Sequence, residues 1–234
     1  MLIKFRVRGA LRYICHAEML KVFQRACARA GIKIQHSQGF NPHPRLSLPL
    51  PRPVGVESDD ELLCLRVERG QNEPQALEYE SLIRDKLSAQ LPDGCELLSV
   101  EATEAKSTPQ PFCVTYILSL RPEYADDRLK EKIKHLLERK DIIVERKIDA
   151  EKLKFEDRIS KIKKVDVRPF LESVEWDNRS IVMKCNITYA GSIRVDEILK
   201  LLEIDVEKLT APIKRTNVQW QEPENRRQNL EDRR

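Results

Sequence analysis

The chain has 234 residues, 41% of them hydrophobic and 34% charged, a globular composition too apolar for a disordered chain and long enough for one large domain or two small ones. Its formal charge of +4 is unevenly spread: residues 1–55 carry ten cations (Lys4, Arg6, Arg8, Arg12, Lys21, Arg25, Arg29, Lys33, Arg45, Arg52) against the single acid Glu18, an asymmetry that points to a polyanionic partner. The six cysteines, Cys15, Cys27, Cys64, Cys95, Cys113 and Cys185, form no CxxC pair, which argues against a zinc ribbon or an iron–sulfur cluster, and with no signal-peptide core or membrane-length apolar run the expectation is a reducing cytoplasm and no membrane.

Residues 2–8 alternate Leu-Ile-Lys-Phe-Arg-Val-Arg, the period-2 pattern of a half-buried strand. Residues 15–30 predict a helix: Met19, Val22, Phe23, Ala26, Cys27 and Ala30 recur at three- and four-residue spacing, and Gly31 is a natural stop. Lys21, Arg25 and Arg29 line the opposite side at i, i+4 and i+8, repelling by a few tenths of a kcal/mol per pair. A short strand over Lys33–His36 is expected next. Ser37-Gln38-Gly39-Phe40-Asn41-Pro42-His43-Pro44-Arg45 follows, then Leu46–Leu50 and the stop Pro51-Arg52-Pro53. The Asn-Pro and His-Pro steps exclude helix and stiffen the loop, so side chains on it lose little entropy on binding.

Strands are predicted over Leu62–Glu68 and Cys95–Glu101, with a helix over 74–91 between them. The first hundred residues then read β-α-β-β-α-β, the ferredoxin-like arrangement. A polar linker over 103–111 leads to a second cycle: a strand Phe112–Leu120, a helix 124–139, a strand Ile142–Lys147, a hairpin of Lys164–Val174 and Ser180–Tyr189, a helix Arg194–Leu202 and a strand Ala211–Trp220. The expectation is an α+β protein of two ferredoxin-like halves, residues 1–104 and 111–221, each an antiparallel sheet with helices packed on one face. Residues 222–234 are read as a charged tail. Trp176 is expected at the hairpin tip and His135 on a helix surface.

The segment Tyr13–Gly55 carries the specific signal. Arg12-Tyr13-Ile14-Cys15-His16, Phe23-Gln24-Arg25-Ala26, Arg29-Ala30-Gly31, the nine residues Ser37–Arg45, and Leu50, Gly55 and Ser58 resemble the radical-SAM-linked protein family, an uncharacterised family also found as a C-terminal extension of cobalamin-binding radical SAM proteins. Cys15-His16-Ala17-Glu18 stands where the family usually shows Ser-His-Leu-Asp. Weaker similarity runs through Val167-Arg168-Pro169, Gly191-Ser192-Ile193-Arg194 and Arg215-Thr216. The resemblance implies association with radical SAM chemistry. The chain lacks the radical SAM cysteine triplet, so it would be an accessory, not the catalyst.

Read as residues, Lys21, Arg25, Arg29, Arg45 and Arg52 are expected to bind phosphates, with Arg12 beside them. Tyr13 and Phe40 offer faces for an unpaired base. Gln38 and Asn41 carry donor–acceptor pairs able to read a base edge, and His16 and His43 complete a pocket. The bland alternatives are a helix-cap histidine at His16, a core plug at Phe40 and a turn former at Asn41. The leading expectation is a non-catalytic RNA-binding or substrate-presenting module with no cofactor and no metal. Two alternatives stay open: a docking partner or chaperone of a radical SAM enzyme, and a small metal- or His-dependent enzyme acting on RNA through Cys15, His16 and His43.

Overall fold

The computed structural model describes residues 1–68, 76–103, 108–147 and 162–221; the expected tail 222–234 lies outside them. The fold is mixed α/β, its strands mostly antiparallel, with four α-helices among the described residues. The chain divides into two compact units, Met1–Val114 with Pro212–Arg234, and Thr115–Ala211.

In the first unit the elements follow sequence order: β1 (Leu2–Val7), α1 (His16–Arg29), β2 (Leu46–Ser47), β3 (Glu57–Leu65), α2 (Ala76–Ser88) and β4 (Cys95–Glu101). β1 pairs antiparallel with both β3 and β4, and β2 pairs antiparallel with β3. The period-2 pattern of β1 turns Ile3, Phe5 and Val7 to the core, where they meet Met19, Phe23 and Cys27 of α1 and Tyr79, Ile83 and Leu87 of α2. Phe5 and Phe23 pack edge to face at 4.7 Å, a favoured geometry. Burial raises the Cys27 thiol to about 11, so it acts as a small hydrophobe. The last strand, β10 (Lys214–Gln221), returns to this unit and runs parallel to β3 through Lys214↔Glu57 and Arg215↔Ser58.

Two expectations change here. β3 begins at Glu57, five residues before the predicted Leu62, because Ser58 and Glu61 are buried polar partners of Arg215 and so break the apolar pattern. Lys33–His36 is not a regular strand. It makes only the isolated bridges Ile34↔Val67 and His36↔Pro44, since Pro42 and Pro44 have no N–H with which to continue a ladder.

In the second unit, the end of β5 (Gln110–Ser119) precedes α3 (Asp127–Glu138), β6 (Ile143–Lys147), β7 (Ile162–Asp166), β8 (Leu171–Asp177), β9 (Ser180–Asn186) and α4 (Val195–Leu202). α3 starts at Asp126, whose carboxylate caps the Leu129 amide at 3.0 Å, and buries Leu129, Ile133 and Leu136. The predicted strand Lys164–Val174 is two strands. β7 pairs with β6; the chain then turns through Arg168–Phe170, and β8 pairs with β9. Asn178 and Arg179 make the β8–β9 turn, both at positive φ, the backbone of a two-residue hairpin loop. Trp176 is therefore not at the tip: it lies in β8 opposite Ile181, with Lys130 over its ring at 5.6 Å. His135 is exposed on α3, 3.4 Å from Glu138. No described helix is long and apolar enough to cross a membrane.

Candidate nucleic-acid interface

Residues 37–45 form a loop pinched at its neck. The Ser37 amide donates to the His43 carbonyl at 2.8 Å and the His43 amide to Ser37 Oγ at 2.9 Å. Just outside, the Arg45 amide donates to the Gln35 carbonyl at 2.7 Å. Gly39 sits at φ +138°, a backbone that side-chain-bearing residues avoid. With Pro42 and Pro44 fixing φ on the returning limb, the loop is held by its own backbone. Gln38, Phe40, Asn41, His43 and Arg45 all project into solvent. Phe40 is wholly exposed, at 102% relative accessibility, so it is no core plug. It forgoes the roughly 1.5–3 kcal/mol that burying a phenylalanine contributes.

The cations of the first segment fall into two groups. Lys4, Arg6 and Arg8 pair with Asp60, Glu96 and Asp59 at 3.6, 3.2 and 2.9 Å. Arg12 lies over the Tyr13 ring at 4.4 Å, donates to the Tyr13 hydroxyl and the Gly9 carbonyl, and sits 3.8 Å from Glu57. Arg29 is exposed, but its guanidinium holds the side chain and carbonyl of Gln90 just beyond α2. Lys21, Arg25, Lys33 and Arg45 are exposed with no side-chain hydrogen bond or ion pair among the described residues, though the charge of Lys21 helps to draw the Glu18 carboxyl down. The +9 segment thus presents a handful of uncommitted charges.

Arg52 departs furthest from the expectation of a phosphate ligand. It is 9% exposed and donates to the carbonyls of Leu11, Arg12, Pro53, Val56 and Ile14. Burial lowers its pKa, opposed by Glu61. Its role is to tie the turn before α1 to the chain entering β3. Beside it, Arg215 is fully buried, donating to Glu61 through Nε at 3.0 Å and through Nη2, and to the Pro51 carbonyl at 3.3 Å.

Cys15, His16, Arg52 and Glu61 line a narrow cleft at the start of α1, walled by Phe5, Val7, Met19, Leu48 and Leu50. No residue of 37–45 lines it, so His16 and the loop residues do not share this pocket. Glu18 caps the helix, accepting from the Cys15 amide at 2.7 Å; that bond first, and the Cys15 side chain second, hold its carboxyl below the usual range. The Cys15 sulfhydryl thus faces the Glu18 carboxylate. Among the described residues no three His, Cys, Asp or Glu side chains gather to hold a metal.

Sequence reasoning missed the Glu61–Arg215 pair. Its available signal was Glu61, the last of the acids Asp59-Asp60-Glu61, set against the apolar run Leu62-Leu63-Cys64-Leu65, and an arginine in a late strand; nothing local links residues 154 apart. Compared with known proteins, residues 1–200 match the family model DUF2344, described as an uncharacterised protein conserved in bacteria. No curated protein matches the chain.

Proposed function

The chain belongs to this family of uncharacterised bacterial proteins, and on that premise we propose that it is an accessory, non-catalytic module that binds RNA or presents an RNA substrate. It works in the cytoplasm beside a radical SAM enzyme, in RNA modification or processing. Phe40 stacks on an unpaired base while Gln38, Asn41 and His43 contact its edge. Arg45, Lys21 and Arg25 meet backbone phosphates. Arg29 and the Arg12–Tyr13 pair contribute from positions already tied to the protein, and Arg52 supports the fold.

The observation that carries this reading is the solvent-facing Phe40 on a loop whose neck is fixed by reciprocal Ser37–His43 bonds. An aromatic held out on a stiff loop loses little entropy on stacking. In the same reading the two halves are ferredoxin-like. Support comes from the antiparallel order β4-β1-β3-β2 in the first unit and from β5-β9-β8 with α3 and α4 in the second, where the β6–β7 pair is an insertion.

Titration with labelled single-stranded RNA across a salt series tests the proposal. The expected result is affinity that falls steeply with salt; absent binding, or binding indifferent to salt, refutes it. The second reading is docking to a radical SAM enzyme through the same exposed aromatic, which suits a protein pocket as well as a base. Co-purification with such an enzyme that survives nuclease would favour it.

A further inference from the structure

A second fully exposed aromatic stands on a braced turn in the other unit. Tyr189 is 97% exposed at the tip of Thr188–Gly191, where the amides and carbonyls of Thr188 and Gly191 exchange hydrogen bonds at 2.9 and 3.0 Å. Thr188 Oγ1 also accepts from the Ala190 amide at 3.2 Å. Gly191 lies at φ +129°, so the tight return depends on glycine. Turn tips ordinarily carry Gly, Asn, Asp or Ser, and a tyrosine here gains no burial.

The turn is buttressed from β6. Arg146 grips Glu197 with two hydrogen bonds, 2.7 and 2.9 Å, and donates to the Ser192 carbonyl at 2.7 Å, one residue past the turn. Glu197 in turn accepts from the Arg194 amide at 2.9 Å, fixing the start of α4. Arg146 Nη1 makes no hydrogen bond among the described residues and lies 3.8 Å from where a side chain on Gly191 would begin. Opposite Arg146 in the ribbon is Lys163, on the same face, exposed and with no ion pair among the described residues; Lys147 and Lys164 are exposed on the other face. Of the two acids in these strands, Asp166 accepts from the Ile142 and Arg168 amides, and Glu145 stands exposed opposite Lys164 on the other face from Arg146.

An exposed aromatic ring on a rigid turn, with the Arg146 edge beside the turn and Lys163 cross-strand from Arg146, has the composition of a stacking platform beside a phosphate contact. A protein-docking tip would more often be ringed by apolar side chains. We propose that Tyr189, with Lys163 and the Arg146 edge beside it, is a second contact for an unpaired RNA strand. This inference rests on the reading of the chain as an RNA-binding protein and adds a site in the second unit.

The experiment uses the full chain and a fluorescent 20-nucleotide oligouridine, titrated at several salt concentrations with wild type, Tyr189→Ala, Lys163→Ala and Phe40→Ala, with melting temperatures recorded alongside. Tyr189→Ala should weaken binding about five- to tenfold at unchanged melting temperature, and Lys163→Ala should reduce the salt slope by about 0.7. If wild type and Phe40→Ala differ but Tyr189→Ala and Lys163→Ala both match wild type, this second site is overturned and the loop reading stands. If Tyr189→Ala weakens binding and Phe40→Ala does not, the second site holds and the loop reading falls. Wild type that binds no oligouridine overturns both.

Discussion

Arg45 and Arg52 stand seven residues apart in one proline-rich stretch, and a charge count treats them alike. Arg45 projects into solvent from the neck of the 37–45 loop with no side-chain partner among the described residues. Arg52 is buried under five backbone carbonyls. Local chemistry explains the contrast. Arg52 follows the chain into a region where the turn before α1 leaves carbonyls that no regular ladder satisfies, and a guanidinium carries enough donors to satisfy several at once. A cation-rich segment therefore contains two populations, one that builds the fold and one available to a ligand.

The largest effect should come from the buried population. Arg215→Met leaves Glu61 charged and unpaired in the core and should cost about 3–5 kcal/mol, read as a large drop in melting temperature. A variant that melts like wild type would break the comparison, because Arg215 would then not be structural. Glu197→Gln, which disrupts the Arg146 pair in the second unit, should destabilise by about 3 kcal/mol. Burial pushes the Glu197 carboxyl up, but Arg146 and the Arg194 amide together hold it below its ordinary value. The stability it contributes is therefore complete above the unfolded carboxylate pKa and is lost as pH falls through the depressed folded value. Glu197→Gln should flatten that acid-side loss, seen in melting temperatures measured between neutral and acid pH.

How much of this was legible in the sequence follows the same division. β4 falls on the predicted Cys95–Glu101 and β1 within a residue of its prediction, because their patterns depend only on near neighbours. The loop was legible too, since proline and glycine dictate backbone locally. The start of β3 was not: Ser58 and Glu61 read as surface residues until Arg215, 154 positions away from Glu61, is brought against them. The β6–β7 pair was hidden for a related reason. Ile142–Lys147 reads as a strand, but three of the five residues of its partner Ile162–Asp166 are lysine or aspartate, and it merges in sequence with β8 across the Arg168–Phe170 turn.

Smaller effects sharpen the exposed side of the comparison. Phe40→Ala should leave stability within about 0.5 kcal/mol yet weaken RNA binding by about 1–3 kcal/mol, checked by melting and by titration. Gly39→Ala strains the backbone at the loop tip and should also lower affinity, by a smaller factor, with the core unaffected. Lys21→Ala with Arg25→Ala should reduce affinity a few-fold and the salt slope by up to about 1.4. An unchanged slope would move both residues out of the interface.

In the proposed function the loop tip, not the cleft at the start of α1, touches the ligand. Photocrosslinking of the full chain to a 4-thiouridine-containing single-stranded RNA, with the attached peptide mapped by mass spectrometry, tests it most directly. Attachment is expected at Phe40 or its neighbours within residues 37–45, and is expected to be lost in Phe40→Ala. Attachment confined to the Cys15–His16 cleft, or the same yield with and without Phe40, would contradict it.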